Sequence, residues 1–255
     1  MTAVEISLTQ GVQTLKLSRP EKRNALTQDM YRMLSDALEA GESDDSVRVR
    51  VLFGDGGHFT AGNDIADFLA TAKGEQGPPR EVLRFIEILP RLQKPLIAGV
   101  DGQAIGIGTT LLLHCDLVYV TPRATFATPF LDLGLVPEAA SSLLLPRLIG
   151  YARAFEMLVL GETFSAARAC DAGLVNALVD PEALEIHVLA IAARLAAKPP
   201  HALLTAKRLM RGDPAVVLER TLQEAAEFAR CLTSPEARAA FEAFFSRARP
   251  DKART

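Results

Sequence analysis

The 255-residue chain has no tryptophan, only three tyrosines and only three cysteines. Cys115, Cys170 and Cys231 include no CxxC pair and are odd in number, so neither a disulfide framework nor a zinc site is indicated, and a reducing compartment is expected. Basic charge is not in excess. Against 28 Lys and Arg stand 31 Asp and Glu, a formal charge of −3, so nucleic acid meets no complementary field, although a local pocket for one phosphorylated ligand stays open. No run reaches the roughly 18 uninterrupted apolar residues of a membrane span. The opening MTAVEISLTQ lacks the basic stretch and apolar run of a signal segment, so the sequence predicts a soluble, cytoplasmic protein with no membrane partner. Solenoid-period repeats and low-complexity stretches are absent as well. What is present is 49% hydrophobic and 23% charged residues over a length that suits one large domain or one plus an appendage, which excludes a mainly disordered chain.

The apolar pattern changes period along the chain. Val4, Ile6 and Leu8, then Val12, Leu15 and Leu17 around Gly11, predict strand, turn and strand. From Thr27, a plausible N-cap, Met30, Met33, Leu34, Ala37 and Leu38 recur at helical spacing until Gly41, where the helix is expected to stop. Continuous apolar runs at Val47 to Phe53 and Leu96 to Val100, each ending in a glycine turn, read as buried strands of an α/β core. Between them the Gly- and Pro-rich stretch Lys73 to Arg80 reads as a loop before an amphipathic helix from about Glu81 to Leu92. Beyond Asp180 the pattern is wholly helical, and the last helices begin at or near prolines, as a first helical turn allows.

Three segments carry candidate chemistry. Phe59 to Ile65 (FTAGNDI) and Asp101 to Thr110 (DGQAIGIGTT) both run from a strand through small residues toward a helix, so a ligand can approach the backbone, and amides opening a helix near Ile107 suit an anionic oxygen. A dinucleotide fingerprint is excluded, because Leu111 stands where the third glycine of GxGxxG belongs. In the third segment Glu138 follows Leu135, Val136 and Pro137 and precedes small residues, so burial would raise its pKa toward that of a general base. A first-turn glutamate serving only the helix dipole is the alternative. Asp132 reads as a turn carboxylate, His58 as a solvated loop residue, and a triad of the sequence neighbours His114, Cys115 and Asp116 is disfavoured, because adjacent residues seldom converge.

Taken in order, Ser18 to Leu26 (SRPEKRNAL), Phe59 to Ile65, Lys94 to Gly108, His114-Cys115-Asp116, Phe126 to Ser142 and Ala167 to Val175 resemble the enoyl-CoA hydratase/isomerase, or crotonase, superfamily over nearly the whole chain. The resemblance implies an α/β fold, a crotonase-like spiral of ββα units over residues 1–195 holding the CoA and active site, and an all-helical C-terminal trimerisation region over 196–255. It places an oxyanion hole on the backbone N–H groups of Asn63 and Ile107 and the CoA-binding positions on Arg23, Ala25, Ala61, Asn63, Asp64, Ile65, Gly106 and Ile107. The two glutamates of family hydratases fall on Thr110 and Phe130, whereas Pro137-Glu138-Ala139-Ala140-Ser141-Ser142 is similar to the peroxisomal-type delta(3)-delta(2)-enoyl-CoA isomerases, in which one glutamate is the sole acid/base.

The implied activity is therefore isomerisation of an acyl-CoA thioester by Glu138, with coenzyme A entering as part of the substrate, no separate cofactor and no metal. Hydration or another crotonase-type conversion, and a non-catalytic acyl-CoA-binding subunit, stay open as alternatives. A homotrimer or dimer of trimers is expected, both from the resemblance and because Ala225, Phe228, Ala229, Phe241, Phe244 and Phe245 look too apolar for a small helical unit to bury.

Overall fold

The computed structural model describes residues 2–64 and 80–248. It opens with a hairpin: β1 (Val4–Thr9) pairs antiparallel with β2 (Val12–Leu17), and the two turn residues, Gln10 (φ 49°) and Gly11 (φ 82°), both adopt the left-handed conformation that such tight turns require. In chain order follow β3 (Val49–Gly54), β4 (Leu96–Val100), β5 (Gln103–Ile105), β6 (Leu117–Val120), β7 (Thr125–Ala127), β8 (Phe164–Ser165) and β9 (Ala177–Leu178). The first sheet has the order β1-β2-β3-β4-β6-β9 and is parallel beyond the hairpin; the second is β5-β7-β8, and Thr60 bridges to Ala104 of β5. Successive turns of chain thus place β3 and then Thr60, β4 and then β5, β6 and then β7 alternately in the two sheets. This is the ββα spiral expected from the sequence.

The helices are α1 (Gln28–Ser43), α2 (Arg80–Ile88), α3 (Ile107–Thr110), α4 (Ser141–Ile149), α5 (Tyr151–Leu158), α6 (Ala166–Asp171), α7 (Leu184–Ala196), α8 (Pro200–Arg211), α9 (Pro214–Leu232) and α10 (Pro235–Ala248). Strands β3 and β4 are apolar on both faces because both are covered. Val49, Val51, Phe53 and Ile97 pack against Leu184, Val188 and Ala192 of α7, while Leu52, Leu96, Ala98 and Val100 face the main core. Thr27 caps α1 through its hydroxyl, which accepts from the Met30 N–H at 3.3 Å.

Gly41 does not end α1, as the sequence suggests; the helix runs on to Ser43. A Cβ at Gly41 would stand 2.7 Å from Gln13 Oε1 and 3.1 Å from Arg50 Nη2, so this glycine makes room for a polar knot under the helix end. Arg50, fully buried on β3, donates to the Leu38 carbonyl at 3.0 Å, to Gln13 Oε1 at 3.2 Å and to Glu42 Oε1 at 2.6 Å. Lys94 donates to the Gly41 and Asp44 carbonyls at 2.8 and 2.7 Å. Two cations thus occupy the negative end of α1, and Lys94 satisfies the Gly41 and Asp44 carbonyls, which have no intrahelical partner.

The helical C-terminal part is tied to this body. Lys207 of α8 donates to the Lys94 carbonyl at 2.9 Å and to Asp116 Oδ2 at 2.8 Å, and Arg211 donates to Asp116 Oδ1 at 3.0 Å. Of the apolar groups expected to face another subunit, Phe241 is 1% exposed and Phe228 is half-buried against the same core within the chain, whereas Ala229 is exposed. The side chains of Phe244 and Phe245 lie outside the described residues. Exposed apolar side chains cluster elsewhere, at Leu148, Tyr151, Phe155 and Leu160 on and just after α4 and α5. Among the described residues no helix is long and apolar enough to cross a membrane.

Arg50→Met removes the donor from a buried carbonyl and from Glu42, and is expected to cost about 2–3 kcal/mol of stability. Urea titration followed by circular dichroism checks this, the midpoint falling with little change in slope.

Candidate functional site

Three segments distant in sequence meet where the two sheets adjoin. The Leu26 N–H donates to the Gly62 carbonyl at 2.8 Å and the Asp64 N–H to the Leu26 carbonyl at 2.9 Å, while the Ile105 N–H donates to the Thr60 carbonyl at 3.0 Å. Residues 60–64 are thereby held between residues 23–26 and β5. Gly62 (φ 86°) has no alternative in this arrangement, since a Cβ would stand 2.7 Å from the Ile105 carbonyl oxygen. Asn24, fully buried and itself left-handed (φ 55°), fastens the crossing: its amide donates to the Asp55 and His58 carbonyls at 2.9 and 2.7 Å, and its carbonyl accepts from the Thr60 hydroxyl at 2.6 Å.

Asn63 and Ile107, with Gly106 (φ 56°) between β5 and α3, sit on adjoining backbone at this crossing. Tyr31, buried on α1, donates its hydroxyl to Asn63 Oδ1. Burial, reinforced by the charge of Glu138, pushes the Tyr31 pKa well above the ordinary phenol value, so the proton stays on the donor. Tyr31 is therefore hydrogen-bonded to the Asn63 segment and within the electrostatic reach of Glu138.

Glu138 is 4% exposed and precedes α4 rather than lying in its first turn, which removes the helix-dipole reading. Its carboxylate accepts from the Thr110 hydroxyl at 2.5 Å. Burial raises its pKa to about 8; the Thr110 hydrogen bond opposes that rise and the charge of Glu224 adds to it. Behind it, Ala139 (φ 56°) and Ala140 (φ 57°) are consecutive left-handed residues, a strained turn for side chains that carry a Cβ. His114 Nε2 lies 2.8 Å from the Ala139 carbonyl and must carry the proton, since a carbonyl only accepts. Burial depresses the His114 pKa to about 4, so the ring is a neutral donor and not a proton-transfer group. Thr110 and His114, four residues apart in one helical run, thus grip the consecutive residues Glu138 and Ala139.

A family model described as enoyl-CoA hydratase/isomerase matches residues 7–251. The chain belongs to that family. It is 37% identical to human enoyl-CoA delta isomerase 2 over 206 residues, covering 79% of this chain and 52% of the isomerase, so it spans about half the length of that relative. It is 35% identical over 209 residues to 4-chlorobenzoyl coenzyme A dehalogenase-2 of Arthrobacter, covering 78% of this chain and 74% of the dehalogenase. A solved enoyl-CoA hydratase/isomerase from Pseudoalteromonas atlantica has TM-score 0.91 and 39% identity, covering 99% of this chain and 100% of its own.

Within this enoyl-CoA hydratase/isomerase family member the expected ligand positions fall as follows. Arg23 is exposed and left-handed (φ 50°), its carbonyl accepting from the Ala61 N–H at 2.9 Å. The Ala25 carbonyl accepts from Arg19 at 3.0 Å, and the same guanidinium pairs with Asp64 at 2.8 Å, so Asp64 organises the loop wall through Arg19. Ile65 and most of the stretch from Lys73 to Arg80 lie outside the described residues. Phe130, which the resemblance sets at a hydratase acid position, is buried, with its ring 3.9 Å from where a Gly106 Cβ would be. Asp132 is exposed in a short turn, as a structural carboxylate would be. His58 is half-buried rather than solvated, because Asn24 draws its backbone inward. Sequence reasoning missed Asn24, Tyr31 and Glu224. Tyr31 sits among the apolar positions of α1, and the one available signal was a lone hydroxyl on that face.

A Glu138 carboxyl pKa raised on folding means that the native state keeps a proton the unfolded chain gives up. Stability contributed at this position is therefore lost as pH rises from about 4.5 toward about 8. Glu138→Gln lacks that titration, so its melting temperature is expected to exceed that of the wild type by a margin that widens across this interval. Thermal scans of both proteins from pH 5 to 8.5 check it; a helix-capping role predicts a less stable variant instead.

Proposed function

We propose that this enzyme is an acyl-CoA isomerase that moves the double bond of a 3-enoyl-CoA to the 2-position, with Glu138 as sole acid/base. The observation that carries the reading is the buried Glu138 carboxylate, its pKa raised by burial, held by a threonine at a position where the resemblance gives family hydratases a second acid. The thioester oxygen is taken by the amides of Asn63 and Ile107, and Arg23, Ala25, Ala61, Asp64, Ile65 and Gly106 border the CoA portion. Ionised Glu138 removes a proton from C2, and the electron pair moves into the thioester as an enolate whose oxygen the two amides stabilise. The same carboxyl then delivers that proton to C4, as the electrons return to form the C2=C3 bond. One group serves both carbons because C2 and C4 flank C3 and are reached from one face.

Hydration is disfavoured in this reading because Thr110 does not exchange a proton as a carboxylate does and Phe130 is apolar, so no pair of acids is left to hold and activate a water. The isomerase relative supports this choice, but the dehalogenase relative shows how widely chemistry varies on such a scaffold. Coenzyme A enters as part of the substrate. A homotrimer or dimer of trimers in the cytoplasm completes the proposal, with Leu148, Tyr151, Phe155 and Leu160 as apolar groups a second copy would cover.

Incubation with a 3-enoyl-CoA and, separately, a 2-enoyl-CoA is expected to give double-bond migration without water addition. Accumulation of a 3-hydroxyacyl-CoA would instead support the hydratase alternative, and binding without turnover the non-catalytic one. Glu138→Gln is expected to lower kcat about a hundredfold or more while KM changes little, and wild-type kcat/KM should rise with pH and level off above about 8. Light scattering at working concentration is expected to give a mass three or six times that of the chain; a monomer would sink the assembly reading.

A further inference from the structure

The turn behind Glu138 is strained, and a side chain from the far end of the chain holds it. Glu224, buried on α9, accepts at Oε1 from the Ser142 N–H at 3.0 Å and from the Ser142 hydroxyl; burial raises its pKa above the ordinary carboxylate value, while these bonds, the Ala140 N–H and the charge of Arg220 oppose that rise. Arg220, one turn earlier on α9, donates to Ser142 Oγ at 3.1 Å, so the serine's own proton goes to Glu224 and the carboxyl acts as an acceptor. Ala140, the N-cap of α4, has no side-chain oxygen to accept the first amides of that helix. Glu224 provides the missing acceptor from another helix. Its second oxygen, Oε2, is buried with no hydrogen-bond partner among the described residues. A buried carboxylate left half-satisfied costs stability, and helix capping alone needs no charge there.

We propose that Glu224 is a positioning residue for Glu138: it fastens the left-handed Ala139–Ala140 turn that carries the base and places a negative charge behind it. The inference rests on the role of Glu138 as acid/base. His114 holds one side of the turn at the Ala139 carbonyl, and Glu224 holds the other at the amides of Ala140 and Ser142. The groups acting on Glu224 are these amides, the Ser142 hydroxyl and Arg220 on its own helix, and its charge in turn acts on Glu138. The other elements packed on α9 bury apolar side chains, Val82, Phe85 and Ile86 from α2, Leu89 from the turn after it, and Ala237 and Phe241 from α10. Negative charge behind Glu138 strengthens its hold on a proton, and burial alone is therefore not the whole source of its basicity.

Glu224→Gln keeps the shape and one acceptor oxygen but removes the charge. In protein labelled with carboxyl-carbon-13 glutamate, the Glu138 resonance is identified by its absence from Glu138→Gln, and its titration is read without any substrate. The midpoint is expected to fall by about one pH unit in Glu224→Gln, the scale of a removed like charge. The rising limb of kcat/KM on 3-enoyl-CoA should move by the same amount with KM little changed. Glu224→Asp, which restores the charge on a shorter arm, should return the midpoint toward the wild-type value while kcat falls, because the shorter arm no longer holds the turn. An unchanged Glu138 midpoint in Glu224→Gln overturns the proposal, whatever happens to the melting temperature. If the wild type fails to isomerise 3-enoyl-CoA, the carbon titration still reads the coupling, so failure of the isomerase reading and failure of this one are told apart.

Discussion

The burial of one carboxyl group governs this site. Removing Glu138 from water disfavours its ionised form, which makes it a stronger base, and the same desolvation opposes folding as pH rises. The neighbourhood is arranged around that conflict. Thr110 gives the carboxylate one hydrogen bond rather than several, which would lower its pKa, and no cation is paired with it among the described contacts. The two left-handed alanines that follow turn the chain away so that the side chain stays directed inward, and neutral His114 holds that turn without adding charge.

In the proposed reading, the backbone does the recognition. Residues 60–64 are clamped between residues 23–26 and β5 by main-chain hydrogen bonds, with the Asn24 side chain fastening the preceding turn at Asp55 and His58 and its main-chain carbonyl accepting from Thr60. Backbone amides fixed this way have little freedom to reorganise when charge develops on a ligand oxygen, and that rigidity gives oriented donors their effect. The spiral topology produces the crossing: each pass contributes one strand to the first sheet and a short segment to the second, so small-residue turns from different passes come to lie side by side. An isomerase and a dehalogenase are both similar to this chain in sequence, in keeping with function residing in a few side chains rather than in the fold.

Much of the fold was legible because local patterns carried it. The hairpin at Gly11, the Thr27 cap, the doubly buried strands β3 and β4 and the proline-started helices α8 to α10 each follow from a period or from one residue with a strict backbone preference. Gly41 misled because its reason is tertiary: it clears space for Arg50 and Gln13, which arrive from two strands. Phe241 misled similarly, since an apolar helix face does not disclose whether its cover comes from the same chain or from another.

Glu138, Thr110, Phe130 and the two small-residue segments could be singled out from sequence alone, because a carboxylate in an apolar setting and glycines at turns are local signals. Their meaning was decided in three dimensions. The hydrogen bond from Thr110, the hold of His114 on Ala139, the reach of Tyr31 to Asn63 and the arrival of Glu224 from α9 join residues whose spacing along the chain has no period. The pKa of a group depends on every charge, donor and solvent-excluding atom around it, whichever part of the chain supplies them. Sequence by itself therefore singled out Glu138 as the candidate acid, and only the tertiary structure decided how far its pKa is raised and what holds it in place.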